Sequence, residues 1–297
     1  MEKRQLGKTD MQVSALGFGG AETGFSNTEA EALRRLLGAA LDAGLNVIDT
    51  AECYGNGEEA IGRAVSDRRK EFYLFTKCGH AGMEGLPDWD VRMLERSIDR
   101  SLQRLQTDYL DLIQLHSCSE ELLRKGEVIE VLRRAKAAGK ARYIGYSGDG
   151  EAARYAVTCG AFDTLQTSIS IADQQAIDLT LPLARERGIG VIVKRPIANA
   201  VWVNPDRVND YTRPYWERLQ ALDYDFLKDS PSEAVGIALR FTLGLPGVHT
   251  AIVGTTKPGR WQENAALLAA GPLSPAQFEA IRSRWNAVAA PDWVGQS

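Results

Sequence analysis

The chain has 297 residues, 44% apolar and 25% charged, and its 35 Lys and Arg residues against 39 Asp and Glu residues leave a formal net charge of -4. This balance argues against the basic surface of a nucleic-acid-binding or membrane-surface protein. No apolar run reaches the roughly eighteen residues of a membrane span, and the N-terminus "MEKRQLGKTD" lacks the apolar segment of a signal peptide. We therefore expect a cytoplasmic protein without nucleic-acid or membrane partners.

Strand and helix patterns alternate along almost the whole chain. The segments between strands have helical spacing, because apolar residues recur every three or four positions, as in Val91, Leu94, Ile98, Leu102 and Leu105. Eight segments rich in apolar and β-branched residues are predicted to be strands: 15–20, 46–51, 72–78, 109–116, 142–147, 164–170, 190–195 and 250–255.

Local signals indicate where helices begin and end. The segment "TEAE" at 28–31 predicts a capping box. Two regions exceed the strand–helix repeat: a connection over 196–232 that is rich in Trp, Tyr, Asn and Pro, and a C-terminal helix near 274–288. Long structured loops of this kind usually act as lids or pocket walls. Four glycines predict helix ends just before the next strand: Gly44, Gly139, Gly160 and Gly188.

The order of these elements predicts the fold class. Eight buried strands, each followed by a helix, favour parallel pairing with crossover helices, and their number suits an α/β protein of the (β/α)8 TIM-barrel type. An open doubly wound sheet is the alternative, but "GFGGAETG" after the first strand lacks the GxGxxG spacing of a dinucleotide fold. No linker-like segment interrupts the chain, so we expect one domain over 1–297.

Four ionisable residues follow neighbouring strands of the predicted barrel. Asp49 ends the second strand, Tyr54 lies on the loop after it, and Lys77 and His116 end the next two strands. Chemistry collects at the carboxyl ends of barrel strands, so the four side chains are predicted to meet there. Each residue alone is more often a cap, a turn residue or a packing residue; their placement on consecutive strands favours a catalytic set.

Charge pairing explains how these residues could work together. Lys77 can neutralise the buried Asp49 and also lie near the Tyr54 phenol. At about 4 Å and an effective dielectric constant near 20, the attraction between an ammonium and a phenolate is on the order of 4 kcal/mol, or roughly three pKa units before the cost of burial. We therefore predict that Lys77 lowers the pKa of Tyr54, which acts as a general acid toward a carbonyl oxygen that His116 orients.

Two other kinds of site are compatible with the same residues. Cys53, Cys78 and Cys118 lie near His80 and His116, a set that contains zinc ligands, but strand alternation turns Cys78 away from Lys77, so no metal is expected. The four cysteines form no CxxC pair, which is typical of reduced thiols. A Schiff-base lyase or isomerase that uses Lys77 is the other alternative; it is disfavoured because Asp49 would keep the amine protonated.

With these residues in view, the chain resembles the aldo-keto reductase superfamily over essentially its whole length. "RQLGKTDMQVSALGFGG" is similar to the N-terminal hairpin and first strand, "NVIDTAECYGNGEEAIGRAV" to the Asp/Tyr segment, "LFTKCG" to the Lys strand, and "SIDRSLQRLQTDYLDLIQLHS" to the segment ending in the catalytic His. The resemblance implies reduction of aldehydes or ketones, or the reverse oxidation. It also implies a tetrad of Asp49, Tyr54, Lys77 and His116, with Tyr54 as proton donor.

The resemblance further implies a nicotinamide cofactor that supplies the hydride. Ser147 and Gln166 match positions that hold the carboxamide, whereas Gly148 and Ile169 replace the family's usual Asn and stacking Tyr. Lys194 and Arg195 end the predicted seventh strand, where the family places cofactor contacts. The charges in "VGTTKPGRWQENAALL" favour a 2′-phosphate and therefore NADPH, with NADH as the other possibility. In that segment the expected adenosine-end contacts are Thr255, Thr256, Lys257, Arg260, Glu263 and Asn264.

Some properties are not specified by the sequence. A nucleotide-binding regulatory subunit of the same fold, with vestigial turnover, is the second functional hypothesis. The substrate is a small carbonyl or alcohol whose identity the sequence does not give, and the oligomeric state is equally open. We expect the pocket walls to come from "HAGMEGLPDWD" at 80–90 and from the connection over 196–232, with these candidate aromatics: Trp89, Trp202, Tyr211, Tyr215 and Trp216.

Overall fold

Eight parallel strands close into a barrel in the computed structural model, which describes residues 1–80 and 85–296. Around the circumference the order is β10-β3-β4-β5-β6-β7-β8-β9. The predicted (β/α)8 barrel is therefore confirmed, and each of the eight predicted segments overlaps one barrel strand. The strands are β3 (Leu16–Gly19), β4 (Val47–Asp49), β5 (Tyr73–Cys78), β6 (Leu110–His116), β7 (Ala141–Ser147), β8 (Thr164–Ser168), β9 (Gly190–Lys194) and β10 (Thr250–Val253).

An antiparallel hairpin of β1 (Lys3–Gln5) and β2 (Gln12–Ser14) precedes the barrel, as the family resemblance implied. Apolar residues of this hairpin, Leu6 and Met11, are fully buried and pack with Phe75 and Leu112 from the barrel strands. The hairpin thereby supplies apolar side chains to the barrel's inner core. The strand ends that carry Asp49, Lys77 and His116 lie at the opposite, carboxyl end.

Helices cover the outside of the barrel. In α4 the predicted stripe is confirmed, because Leu94 and Ile98 are fully buried against β-strand side chains of the main core. The helices are α1 (Ala21–Phe25), α2 (Ala30–Asp42), α3 (Gly57–Val65), α4 (Val91–Arg104), α5 (Glu120–Lys125), α6 (Glu127–Ala137), α7 (Gly150–Thr158), α8 (Gln175–Leu179), α9 (Leu181–Arg187), α10 (Arg213–Leu222), α11 (Pro231–Leu243), α12 (Arg260–Leu268) and α13 (Pro275–Val288). Among the described residues, no helix combines the length and apolar character needed to cross a bilayer.

The predicted helix boundaries are correct with one exception. Each of the four predicted stop glycines has a positive φ, between 65° and 98°, which a side chain would strain. The capping box at 28–31 is wrong: α2 is capped by Glu29 without a side-chain hydrogen bond, because the Thr28 hydroxyl pairs with Ser26 instead. Capping boxes do form at Ser230 before α11 and at Ser274 before α13.

The connection over 196–232, which the sequence predicts to be a lid or pocket wall, contains regular secondary structure. It contains α10 and three short 3-10 turns, at Ala198–Ala200, Pro205–Arg207 and Asp225–Lys228. With α11 and α13 it forms a second apolar cluster outside the barrel, in which Tyr215, Phe241 and Trp285 are buried. Part of this region is therefore a packing layer that supports the strand ends.

The buried carboxyl group of Glu58 in α3 leads to a prediction about stability. One oxygen accepts a hydrogen bond from the Thr76 hydroxyl at 2.7 Å, and the other lies 3.9 Å from Nη1 of Arg104. Burial raises the pKa of Glu58 from its ordinary value of 4.5 to about 7. Because the folded state then holds a proton that the unfolded state has released, stability is lost as the pH rises from 4.5 through about 7.

We therefore expect Glu58→Gln to stabilise the protein at alkaline pH relative to the wild type. The free energy of unfolding, measured by urea titration, should rise by an amount on the order of 1 to 3 kcal/mol above pH 7 and change little near pH 4. Glu59→Gln is the matched control, since Glu59 is the half-exposed neighbour on the same helix. A difference between Glu58→Gln and the wild type that does not vary with pH would contradict the assignment.

Candidate active site

The strand ends bring Asp49 and Lys77 into a buried ion pair. Nζ of Lys77 lies 2.5 Å from Oδ1 of Asp49 and donates to the Thr50 carbonyl oxygen at 2.8 Å, and both charged side chains are 1% exposed. Although burial opposes the charge, the carboxylate outweighs it and raises the pKa of Lys77. The amine is thus a charged ammonium, which argues against the Schiff-base alternative.

Tyr54 lies on the short loop between β4 and α3. Its backbone carbonyl accepts a hydrogen bond from Gly57 at 2.8 Å, and α1 packs so closely on this loop that a side chain at Gly24 would meet that carbonyl at 2.2 Å. The Phe25 ring covers the Tyr54 ring at a centroid distance of 5.5 Å. The contact of α1 therefore fixes the phenol against the rim of the barrel.

Lys77 lowers the pKa of Tyr54, as predicted, but burial outweighs this effect and the net shift is upward. Nζ of Lys77 is 5.1 Å from the centroid of the Tyr54 ring. Burial raises the pKa of Tyr54 above 10, and the attraction of Lys77 offsets only part of that rise, while Asp49 adds to it. Asp49 limits the effect of Lys77 on the phenol, because its carboxylate neutralises the ammonium. At neutral pH the residue is consequently a protonated phenol, the form that a general acid requires.

His116 completes the predicted catalytic set. Its ring meets the Tyr54 ring edge-on, with centroids 5.6 Å apart. Burial holds the pKa of His116 well below 6.5, and the positive charges of Lys77 and Lys194 lower it further. The imidazole is therefore neutral at physiological pH. Its Nδ1 lies 3.5 Å from Sγ of Cys53.

The two predicted carboxamide-binding residues lie beside the ion pair. Ser147 and Gln166 are register partners on β7 and β8, and the Ser147 hydroxyl donates to Oε1 of Gln166 at 3.0 Å. Nε2 of Gln166 donates to Oδ2 of Asp49 at 2.8 Å, so the second oxygen of that carboxylate also has a partner. One hydrogen-bonded network therefore connects the predicted catalytic and cofactor residues.

The structure shows how Gly148 and Ile169, which replace the family's usual Asn and stacking Tyr, fit their surroundings. A side chain at Gly148 would meet the Tyr146 hydroxyl oxygen at 2.4 Å, and that hydroxyl is held by its 2.7 Å hydrogen bond to the Cys118 carbonyl. An Asn therefore does not fit at this position of this backbone. Ile169 is fully buried in the main core, so it does not offer the exposed ring face that a stacking Tyr would provide.

Lys194 and Arg195 are engaged by groups that the sequence did not indicate. Lys194 forms a 2.9 Å ion pair with Asp149, whose Oδ1 also accepts from the backbone N–H of Ser168 at 2.7 Å. Because Asp149 is so well paired, its pKa is lowered even though burial opposes this. Arg195, at a φ of 56°, donates to the Ser168 hydroxyl at 2.8 Å and to the backbone carbonyl of Gln296 in the C-terminal tail.

The predicted adenosine-end residues surround the start of α12. Thr255 is buried and its hydroxyl accepts from the backbone N–H of Lys257 at 3.0 Å, which shapes the turn after β10. Arg260 pairs with Glu263 at 2.8 Å on the exposed side of the helix, whereas Asn264 is buried. Thr256 and Lys257 are exposed. Gly259 caps the helix without a side-chain hydrogen bond, so no cap side chain competes for the first N–H groups.

The predicted pocket walls are only partly correct. Trp89 contacts the rim through His80, with ring centroids 4.9 Å apart, and the Tyr211 hydroxyl accepts from Nε of Arg195 at 2.5 Å. Tyr215 is wrong as a wall, because it is fully buried in the second cluster. Trp202 and Trp216 pack against the same cluster. Residues 81–84 of the first predicted wall lie outside the described residues.

The cysteines are not arranged as a metal site. Within residues 1–80 and 85–296 there is no group of three or more His, Cys, Asp or Glu side chains that could hold a metal ion. Burial raises the pKa of Cys118 to about 12 and also raises those of Cys53 and Cys78, so all three thiols resist the deprotonation that zinc binding requires.

The chemistry of the donor set fits a nicotinamide dinucleotide. Ser147 and Gln166 offer a hydroxyl and an amide, the groups that pair with a carboxamide. The start of α12 combines uncapped N–H groups with Lys257 and Arg260, which together favour a phosphate. By contrast, a groove of about 340 Å³ lined by Glu233 and Leu267 lies between α11 and α12, apart from these residues.

Comparison with known proteins gives a consistent picture. The model of the aldo/keto reductase family matches residues 15–286. The structure is similar to that of the aldo-keto reductase AKR11C1 from Bacillus halodurans in its holo form, with a TM-score of 0.83 and 28% identity over 98% of this chain and 99% of that chain. In sequence the chain is 28% identical to L-galactose dehydrogenase of Arabidopsis thaliana, over 90% of this chain and 88% of the relative. It is 27% identical to the NADH-specific methylglyoxal reductase of Escherichia coli, over 90% of this chain and 94% of the relative.

Proposed function

The chain belongs to the aldo/keto reductase family of oxidoreductases, which use a nicotinamide cofactor on small carbonyl substrates, and from this premise we propose that it reduces an aldehyde or ketone to an alcohol with Tyr54 as proton donor. The observation that carries the proposal is the buried Lys77–Asp49 pair next to a protonated Tyr54 and a neutral His116. These groups have the protonation states that carbonyl reduction needs at neutral pH.

Each residue has a separate task in this mechanism. Tyr54 donates its phenolic proton to the carbonyl oxygen as negative charge develops there, and the neutral His116 donates a second hydrogen bond to the same oxygen. Lys77 stabilises the phenolate that remains, since its ammonium lies 5.1 Å from the ring centroid. Asp49 keeps Lys77 charged and in place through its 2.5 Å contact.

The cofactor residues hold the dinucleotide across the rim. Ser147 and Gln166 orient the carboxamide of the nicotinamide, which when bound supplies a hydride to the carbonyl carbon. Lys194 ends β9 and Arg195 follows it, where they would contact a phosphate of the bound cofactor. The turn after β10 and the start of α12 would bind its adenosine end.

A turnover assay distinguishes the enzyme from a nucleotide-binding subunit. Purified protein is mixed with NADPH or NADH and a panel of small aldehydes and ketones, and the loss of nicotinamide absorbance is followed. We expect cofactor-dependent consumption with at least one carbonyl compound. Tight cofactor binding, measured by quenching of protein fluorescence, without consumption for any carbonyl in the panel would favour the regulatory-subunit hypothesis instead.

We further propose that NADPH is the preferred cofactor, because Lys257 and Arg260 flank an uncapped helix start. The double variant Lys257→Ala/Arg260→Ala should raise the Kd for NADPH roughly thirtyfold, since each cation contributes about 1 kcal/mol toward a phosphate, and should leave the Kd for NADH almost unchanged. Arg133→Ala is the matched control, because Arg133 forms a similar exposed pair with Glu130 on α6. Equal losses for both cofactors would show that the two cations do not read the 2′-phosphate.

A further inference from the structure

A second histidine, His80, lies on the rim beside His116. The two rings meet edge-on with centroids 5.6 Å apart, and the other neighbour of His80 is Trp89, at 4.9 Å. Nδ1 of His80 lies 2.7 Å from Oδ2 of Asp88. The His80 side chain is 37% exposed, so the ring borders both the reacting end and the space in front of it. The sequence predicts that His80 lies near this rim, but it does not indicate the contact with Asp88.

The contact with Asp88 determines whether the other ring nitrogen of His80, Nε2, donates or accepts a hydrogen bond. An ionised carboxylate only accepts hydrogen bonds, so Nδ1 of His80 is the donor and, in the neutral imidazole, Nε2 carries the free lone pair. In the part of the chain that the structure describes, no group hydrogen-bonds to Nε2. The rim therefore presents a hydrogen-bond acceptor next to the two donors, Tyr54 and His116.

We propose that His80 is a specificity-determining residue that accepts a hydrogen bond from a hydroxyl group on the carbon next to the substrate carbonyl. The inference rests on the proposed function and names its substrate class: α-hydroxy aldehydes and ketones, and the vicinal diols into which they are reduced. In such a compound an accepting oxygen and a donating hydroxyl lie on adjacent carbons, which matches the donors and the acceptor on the rim. An ether or a methyl group at the same carbon has no proton to give to Nε2.

Three ketones of similar shape test this proposal: hydroxyacetone, methoxyacetone and butanone. We expect kcat/KM of the wild type to be roughly tenfold higher for hydroxyacetone than for the other two, a modest factor because His80 is partly exposed. In His80→Leu the three values should become similar, with butanone changed by no more than about threefold. His80→Gln keeps an accepting oxygen and should retain part of the preference. Asp88→Ala should lose part of the preference, because the ring is no longer oriented, and should keep the rest, because the imidazole is still present.

A binding measurement gives an independent readout that does not need turnover. The chain has three histidines, so the ring resonances of His80 can be assigned by their loss in His80→Leu. With the oxidised cofactor bound, hydroxyacetone should shift the His80 resonances at concentrations where butanone and methoxyacetone do not. Failure of the wild type to reduce any carbonyl would refute the proposed function, while these shifts would still decide the role of His80.

The proposal for His80 is overturned by either of two results. The first is that His80→Leu lowers kcat/KM equally for all three ketones, which would make His80 a structural neighbour of His116. The second is that the wild type does not distinguish the hydroxyl compound from its two analogues in either measurement.

Discussion

Tyr54→Phe should lower kcat for carbonyl reduction by roughly a hundredfold to ten-thousandfold, the range expected when a general acid is removed. The substitution deletes only the hydroxyl group, so the contact of the ring with Phe25 and with Nζ of Lys77 remains. The Kd for the cofactor should therefore change by no more than about threefold, and the free energy of unfolding should change little. Stopped-flow measurement of a single turnover separates the chemical step from product release.

The pH profile of the wild type provides a further test of the role of Tyr54. Because burial raises the pKa of Tyr54 above 10, the acid stays protonated through the neutral range, and kcat/KM for reduction should decline only as the pH rises through that pKa. The residual activity of Tyr54→Phe should lack this alkaline decline. Tyr155→Phe is the control, since Tyr155 lies on the outer helix α7, where its ring packs under Arg124 of α5. Full turnover in Tyr54→Phe would rule out the acid role.

Lys77→Met should have the largest effect on stability among the changes considered. It leaves the Asp49 carboxylate buried at 1% exposure without its cation, and removal of one partner of a buried pair typically costs about 3 to 5 kcal/mol of unfolding free energy. Urea titration should show this loss. Turnover should also fall by about a hundredfold or more, because no ammonium remains to stabilise the phenolate of Tyr54.

A double substitution separates the two effects of Lys77. In Lys77→Met/Asp49→Asn neither position carries a buried charge, while the Asn side chain keeps an oxygen that accepts from Gln166. The double variant should therefore be more stable than Lys77→Met, with a loss smaller than the sum of the two single losses. It should nevertheless remain inactive. A double variant that recovers wild-type turnover would contradict a catalytic role for the ion pair.

The sequence predicted the barrel well because its signals are local. Strand composition, helix periodicity and stop glycines such as Gly44 and Gly188 each depend on a few neighbouring residues, and together they specify eight strand–helix repeats. The placement of Asp49, Lys77 and His116 at one rim follows from the strand ends alone. The capping box at Thr28 failed because a nearby hydroxyl, that of Ser26, competes for the same side chain.

What the sequence could not specify depends on contacts between distant residues. The raised pKa of Tyr54 follows from burial under α1, which requires the close approach at Gly24. The partners of Arg195 include the backbone of Gln296, 101 positions away, and no local pattern indicates that contact. Tyr215 resembles a loop aromatic in the sequence, but α10 turns it into the second apolar cluster. Distance along the chain is the common cause of these differences.

A crystal structure with the oxidised cofactor and a carbonyl substrate bound would test the central claim most directly, which is that Tyr54 and His116 hold the reacting oxygen. We predict that this oxygen lies within about 2.6 to 3.2 Å of both the Tyr54 hydroxyl and a ring nitrogen of His116. An oxygen held instead by Arg195 or Lys194, beyond the reach of the phenol, would contradict the account.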